Sequence, residues 1–433
     1  MHPTPNNIFR ILLFLIGAGS SIDFFLIGRI SASEILAFVC VPFFFLSYGS
    51  DYTNKNFKLC LGLLGLYFVG TAIADFINDV PFLFSARSLA RPVFILGFLL
   101  FFIPILRRDP LALIYMVYGG VLSGIYRLLR PSAMHEEAAM SLLTDYSSIV
   151  FRVQPVIAAG ILAVAIYLYP KNRLYAAGSF FIATVIFAGI GGARNTTLMW
   201  FLATTVILVI WFFKNKSSHR IAFTKARLVG LGVVLLVGGL IGYFAYLYAA
   251  PQGHLGEEQR VKFEQQANTD LGPTPWGFFF SGRPQVWGAF LGIKDRPLVG
   301  FGSWRHDLTA VYTAEAILSV SNDPGIANRI FSGGDSGGAG HSVLFQAWVE
   351  NGILPAIALI WLYVIVIKVF LFNIRFENRL TPYFILTFMT FSWAFFFSPP
   401  GLSFRFFAGL CLAFYVVFMD KQRPLSWLPL MSK

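Results

Sequence analysis

Apolar runs of roughly 17–25 residues recur from one end of this chain to the other, each long enough to cross about 30 Å of hydrocarbon. In lipid such a run must satisfy its own backbone N–H and C=O groups, so it has to be a helix. The expected fold is therefore an all-α polytopic membrane protein with about 12 transmembrane helices. The whole chain, 1–433, reads as a single transmembrane domain. Charged residues make up only 12% of it, against about a quarter in soluble domains. That deficit excludes a water-soluble globular fold, and no nucleic-acid partner is expected.

The expected spans are approximately 8–28, 34–49, 58–77, 92–106, 111–126, 149–169, 174–191, 195–213, 228–249, 353–372, 383–398 and 402–419. The fourth is expected to open at Pro92, since proline suits a first helical turn. The first is read as a retained helix rather than a cleaved leader, because Arg29 and a second apolar run follow it directly. Cys40, Cys60 and Cys411 lie in or beside apolar runs and read as small packing residues. Pro131–Ser148 is polar. From about Ala250 to Glu350 runs a long segment rich in Gly, Pro and charge, between the ninth and tenth spans. Its unpaired backbone groups would be costly in lipid, so it is expected to be one large loop outside the bilayer.

Basic residues in alternate loops set the orientation. One set contains Lys55, Lys58, Arg107, Arg108, Lys171, Arg173, Lys214, Lys216, Arg220, Lys225, Arg227, Arg375, Arg379 and the C-terminal Lys421, Arg423 and Lys433. The other contains Arg29, Arg87, Arg91, Arg127, Arg130, Arg152, Arg194 and Arg405. The first set is about twice as basic, which puts it and both termini in the cytoplasm and the large loop outside. The outer set is entirely arginine. Guanidinium stays charged and offers a planar fork of donors that pairs bidentately with phosphate oxygens. These arginines therefore read as a surface for a pyrophosphate or a phosphorylated lipid. The alternative is that they meet lipid headgroups or pair with Asp75, Asp79, Glu136, Glu137 and Asp145.

Three outer segments carry chemistry. Gly191-Gly192-Ala193-Arg194-Asn195 sets an arginine at a helix N-terminus, where free N–H groups favour an anion. Ser281-Gly282-Arg283-Pro284 opens a helix and is followed by Pro297-Leu298-Val299-Gly300-Phe301-Gly302. The glycine-rich run from Gly333 to Gly340 leads to His341-Ser342, then Trp348, Glu350, Asn351 and Gly352. Gly334-Asp335-Ser336-Gly337-Gly338 mimics the serine context of chymotrypsin-like proteases. That fold needs soluble β-barrels, and an intramembrane protease needs a histidine on a later helix, which the chain lacks after His341. The aromatic residues read as packing or lipid-facing groups rather than a sugar platform. His135, His254 and His306 lie on the same side as His341.

The order of an arginine in an outer turn, then "Ser-Gly-Arg…Trp", "Pro-Leu-x-Gly-x-Gly" and "His-Ser…Glu-Asn-Gly" resembles the O-antigen ligase/polymerase superfamily. Two departures are that Arg194 lies between Ala193 and Asn195 rather than after Ser and before Gly, and that Ser342 rather than Asn follows His341. The resemblance implies a GT-C-like architecture with a periplasmic loop in a bacterial inner membrane. It implies a glycan donor linked to undecaprenyl pyrophosphate, and lipid A–core as acceptor when the enzyme is a ligase. By match to the family motifs, Arg194 and Arg283 would hold the pyrophosphate and His341 would be the general base. Arg152, Arg127, Arg130 and Arg91 are secondary substrate candidates. Glu350 would orient His341, pair with an arginine, or serve as a helix cap or structural residue. Asp23 and Asp75 fall in or near spans, where acids raise a functional question or pair with arginines. No metal cluster or cofactor is expected. A polymerase using the same donor is the second expectation, and a transporter of anionic lipid-linked glycan the third.

Overall fold

The computed structural model describes residues 5–25, 29–129, 145–189, 194–214, 225–254, 284–304, 306–318, 342–398 and 401–419, with scattered residues between 260 and 278. In chain order the elements are α1 (Pro5–Gly19), β1 (Asp23–Phe25), β2 (Arg29–Ser31), α2 (Ala32–Tyr48), α3 (Lys55–Ile77), α4 (Phe82–Arg108) and α5 (Leu113–Leu129). There follow α6 (Asp145–Leu168), α7 (Arg173–Gly189), α8 (Arg194–Lys214) and α9 (Lys225–Ala249). Three shorter helices are α10 (Pro284–Asp295), α11 (His306–Leu318) and α12 (Val343–Asn351), and the chain closes with α13 (Ile353–Arg375), α14 (Thr381–Phe397) and α15 (Leu402–Phe418).

The chain is a helical membrane protein. Six of the described helices are long and apolar enough to cross a bilayer, and other apolar helices are 10–17 described residues long. Their outward faces carry large bare side chains, such as Leu46, Phe76 and Phe82, each more than four-fifths exposed. So much apolar surface on the outside suits hydrocarbon as the surrounding solvent.

Two span expectations need correction. The first helix stops at Gly19, and the apolar stretch after it pairs as a short antiparallel ribbon, with Asp23 opposite Ser31 and Phe25 opposite Arg29. Apolar character alone does not separate helix from strand over so few residues. The fourth helix starts ten residues before Pro92, at Phe82, and both Pro92 and Pro104 lie inside it. Proline inside a buried helix is tolerated where neighbouring helices take up the freed carbonyls. Phe98, Leu99, Phe101, Phe102 and Ile103 of α4 are all nearly fully buried, so α4 is the axis of the bundle.

Contacts distant in sequence close the bundle. Ser31 and Glu34 form a capping box at the start of α2, and Glu34 also holds Arg405 of α15, with Arg405 Nε 2.9 Å from Glu34 Oε1. Asn54 caps α3, and its amide also donates to the Val416 carbonyl of α15 at 2.8 Å. At that same end, Asp51 accepts from Arg107 and Arg108 at 2.8 and 2.6 Å, Arg10 reaches Asp109, and Arg173 and Tyr169 share Glu377. The other end, termed the loop end below, carries α10, α11 and α12.

Candidate functional site

At the loop end, two motif segments about fifty residues apart in sequence lie side by side. The Phe301 and Gly302 N–H groups donate to the Val349 and Glu350 carbonyls at 2.9 and 2.7 Å, and the Ile353 N–H donates to the Leu298 carbonyl at 3.1 Å. The Trp348 indole N–H donates to the Pro297 carbonyl at 2.9 Å. Glycine is what allows the approach. Gly300 (φ +73°) and Gly352 (φ +79°) sit in the left-handed region, and a Cβ on either would collide with backbone of the partner segment, Glu350 or Leu298. Gly300 of "Pro-Leu-x-Gly-x-Gly" and Gly352 of "Glu-Asn-Gly" thus have one shared structural cause.

Beneath this pairing lies a buried polar network. Asp75, near the end of α3, accepts the Ser303 N–H at 2.8 Å, and Ser303 bonds Asn351 at 2.9 Å. At the exposed edge of this network, Asn78 links the end of α3 to Arg296 at 3.0 Å. Glu350, 2% exposed, accepts from Gln346 at 3.0 Å and lies 3.7 Å from Arg91 of α4, itself 9% exposed. Arg91 and Arg87 both lie over the Trp304 ring, 5.6 and 6.0 Å from its centroid. Trp304 holds a positive φ of 60°, uncommon for a bulky residue. Cation–π attraction to the two guanidinium groups is one reason for such a backbone to persist.

Helices α10 and α12 pack in the same direction. Phe290 meets Phe345 at 4.4 Å between ring centroids, and two or three residues further along, Gly292 and Ile293 meet Val349. The residues that open them, Pro284 and Val343, therefore lie toward one end of the pair. Ser342 caps α12, accepting from the Phe345 N–H at 3.1 Å while its hydroxyl donates to the Phe395 carbonyl of α14 at 3.0 Å. Tyr312 of α11 bonds Asp295 at the end of α10. Burial and that carboxylate push the Tyr312 phenol up to about 12.

His341, Arg283 and Arg130 lie outside the described residues. Arg194 and Arg152 are described in backbone only, as the first residue of α8 and a residue in the first turns of α6. Their neighbours two positions on do touch, because the Gln154 amide bonds the Thr196 hydroxyl. Arg91 and Glu350 face each other at 3.7 Å, and Glu350 also accepts from Gln346, so the described contacts contain both an arginine partner and a structural one. Arg127 is at the loop end of α5, half-buried. Asp23 pairs with Arg29, with 2.7 Å between Oδ2 and Nε, whereas Asp75 takes a backbone N–H rather than an arginine. Sequence reasoning passed over Trp304, Ser303 and the Glu34–Arg405 pair. The only local signal for them was Glu34 three residues after Ser31, a capping-box spacing.

No protein-family model matches the chain, and no curated protein is significantly similar to it.

Proposed function

We propose that the chain is a membrane glycosyltransferase of the O-antigen ligase type. It would move a polysaccharide from undecaprenyl pyrophosphate to a sugar hydroxyl of lipid A–core at the periplasmic face of a bacterial inner membrane. The observation that carries the proposal is the pairing of the Pro297–Gly302 segment with Trp348–Gly352 above the Arg91–Glu350 contact. It brings two of the motifs on which the resemblance rests to one end of an arginine-bearing bundle, and it gives Gly300 and Gly352 a common reason. In support, α10 begins one residue after Arg283 and α12 two residues after His341, and the two helices run in the same direction.

In the proposed reaction the acceptor hydroxyl oxygen attacks the anomeric carbon as the bond to the pyrophosphate oxygen breaks, with inversion. His341 takes the hydroxyl proton, a task that neutral imidazole can perform. Arg194 and Arg283 face the negative charge that grows on the leaving group, where fixed donors lower the barrier most. The reading includes about 12 spans and one periplasmic loop at about 250–350.

The test is the glycan profile of a strain lacking the gene. Unsubstituted core with accumulated lipid-linked polymer is the expected result. Core bearing a single repeat unit would instead identify a polymerase, and loss of periplasmic lipid-linked glycan altogether would identify a transporter. The orientation is tested separately. In a background without Cys40, Cys60 and Cys411, a cysteine at Gln265 should react with an impermeant thiol reagent on intact spheroplasts, and one at Ser218 should not. The reverse pattern would invert the topology and remove the periplasmic site.

A further inference from the structure

A crevice of about 450 Å³ enters the bundle from the loop end, among α1, the β1–β2 ribbon, α5, α6 and α15. Its volume is that of a ligand pocket, which spans roughly 300–1,000 Å³. At its mouth stand Arg29 and Arg127 with the hydroxyls of Ser20, Ser31 and Ser403; deeper it is lined by residues such as Met116, Val117, Leu162 and Phe406. Arg127 and Met116 lie on one helix eleven positions apart, so by the rise of 1.5 Å per residue the crevice runs about 16 Å along α5. That is about half the thickness of the hydrocarbon core. A polar mouth above a long, mainly apolar shaft parallel to the helices, interrupted by the Ser33 and Tyr383 hydroxyls, has the polarity profile of a lipid.

The charge at the mouth narrows the headgroup. Arg29 is matched by Asp23, and Arg405 by Glu34. Arg127 is coupled electrostatically to Asp23 and Arg29 but has no hydrogen-bond or ion-pair partner among the described residues. One positive charge is thus left over. A phosphodiester brings one negative charge and oxygens that match the guanidinium fork, whereas a pyrophosphate would bring a larger charge than this mouth can neutralise. We infer that the crevice between α1, α5 and α15 is a binding site for an anionic glycerophospholipid, its phosphodiester on Arg127 and Arg29 and one acyl chain between α1, α5, α6 and α15. The described lining of the site includes neither Arg194 nor Arg283; it takes Arg127 from the secondary substrate candidates and gives it a lipid instead, and it stands whether or not the chain is a glycosyltransferase.

The experiment is native mass spectrometry of the full-length protein released from nanodiscs that contain phosphatidylglycerol, phosphatidylethanolamine and undecaprenyl phosphate in equal amounts. One phosphatidylglycerol should be retained in preference to the other two. Arg127→Gln should weaken its retention about 10–100-fold, the loss expected for a charged hydrogen bond. Gly120→Leu is the second variant. Gly120 lines the crevice, and a Cβ there meets nothing nearer than Ala159 Cβ at 3.9 Å, so a larger side chain at this position is expected to fill part of the shaft. It should displace the lipid even if Arg127→Gln proves too unstable to purify. Equal retention of all three lipids, preference for undecaprenyl phosphate, or unchanged phosphatidylglycerol in either variant would overturn the site.

Discussion

His341→Ala is expected to abolish glycosyl transfer while the protein still inserts and still binds the lipid pyrophosphate donor. Loss of a general base typically costs about 10²–10⁴ in rate. Donor affinity should rest on Arg194 and Arg283, so Arg194→Ala and Arg283→Ala should lose donor binding where His341→Ala loses turnover alone. Lysine at either arginine should be nearly as damaging as alanine, because it keeps the charge and loses the fork. The pH profile gives an independent check. Only neutral imidazole accepts a proton, so wild-type turnover should fall once the solution is acid enough to protonate His341. Were His341 instead a hydrogen-bond donor to phosphate, mild acid would sustain or raise turnover, and His341→Gln would keep substantial activity. Either result in purified enzyme with donor and acceptor would remove the base assignment.

Glu350→Leu and Arg91→Met should each lower thermal stability in detergent by the equivalent of about 3–5 kcal/mol, because each strands a charge in a buried site. The double variant should recover much of the loss, since two apolar side chains of similar volume replace a pair whose desolvation its attraction barely offsets. Differential scanning fluorimetry of the four proteins closes this cycle. Additive losses would mean that the 3.7 Å contact is not an energetic unit. Because Glu350 also lends its carbonyl to Gly302, the single variants should loosen the pairing of the two motif segments and reduce activity along with stability.

Helix positions were largely readable from hydropathy, because lipid demands long apolar runs and little else along the chain produces them. The misreadings came where local pattern and tertiary partners diverge. The turns around Arg87 and Arg91 look like loop, yet they are helix because Trp304 and Glu350 cover those cations. Phe24 and Phe25 look like the end of a span, yet they pair with Ile30 and Arg29 in the ribbon. At the site, the motif glycines were visible as a pattern without a cause until Gly300 and Gly352 were found against each other's segments. The choice of Glu350's partner, and the crevice walled by α1, α5 and α15, depend on which helices become neighbours, and no short window of sequence carries that.

The pairing of α2 with α15 also bears on how the chain is made. Glu34 and Arg405 are 371 residues apart. At a synthesis rate of about 5–20 residues per second, the glutamate waits roughly 20–75 s for its arginine. During that interval the acid must reside at the membrane surface, take up a proton, or borrow another cation. The same holds for Asn54, whose amide is completed only by the Val416 carbonyl. Glu34 and Asn54 therefore complete these contacts only after α15 has left the ribosome, whereas α1 can pack on α5 well before that.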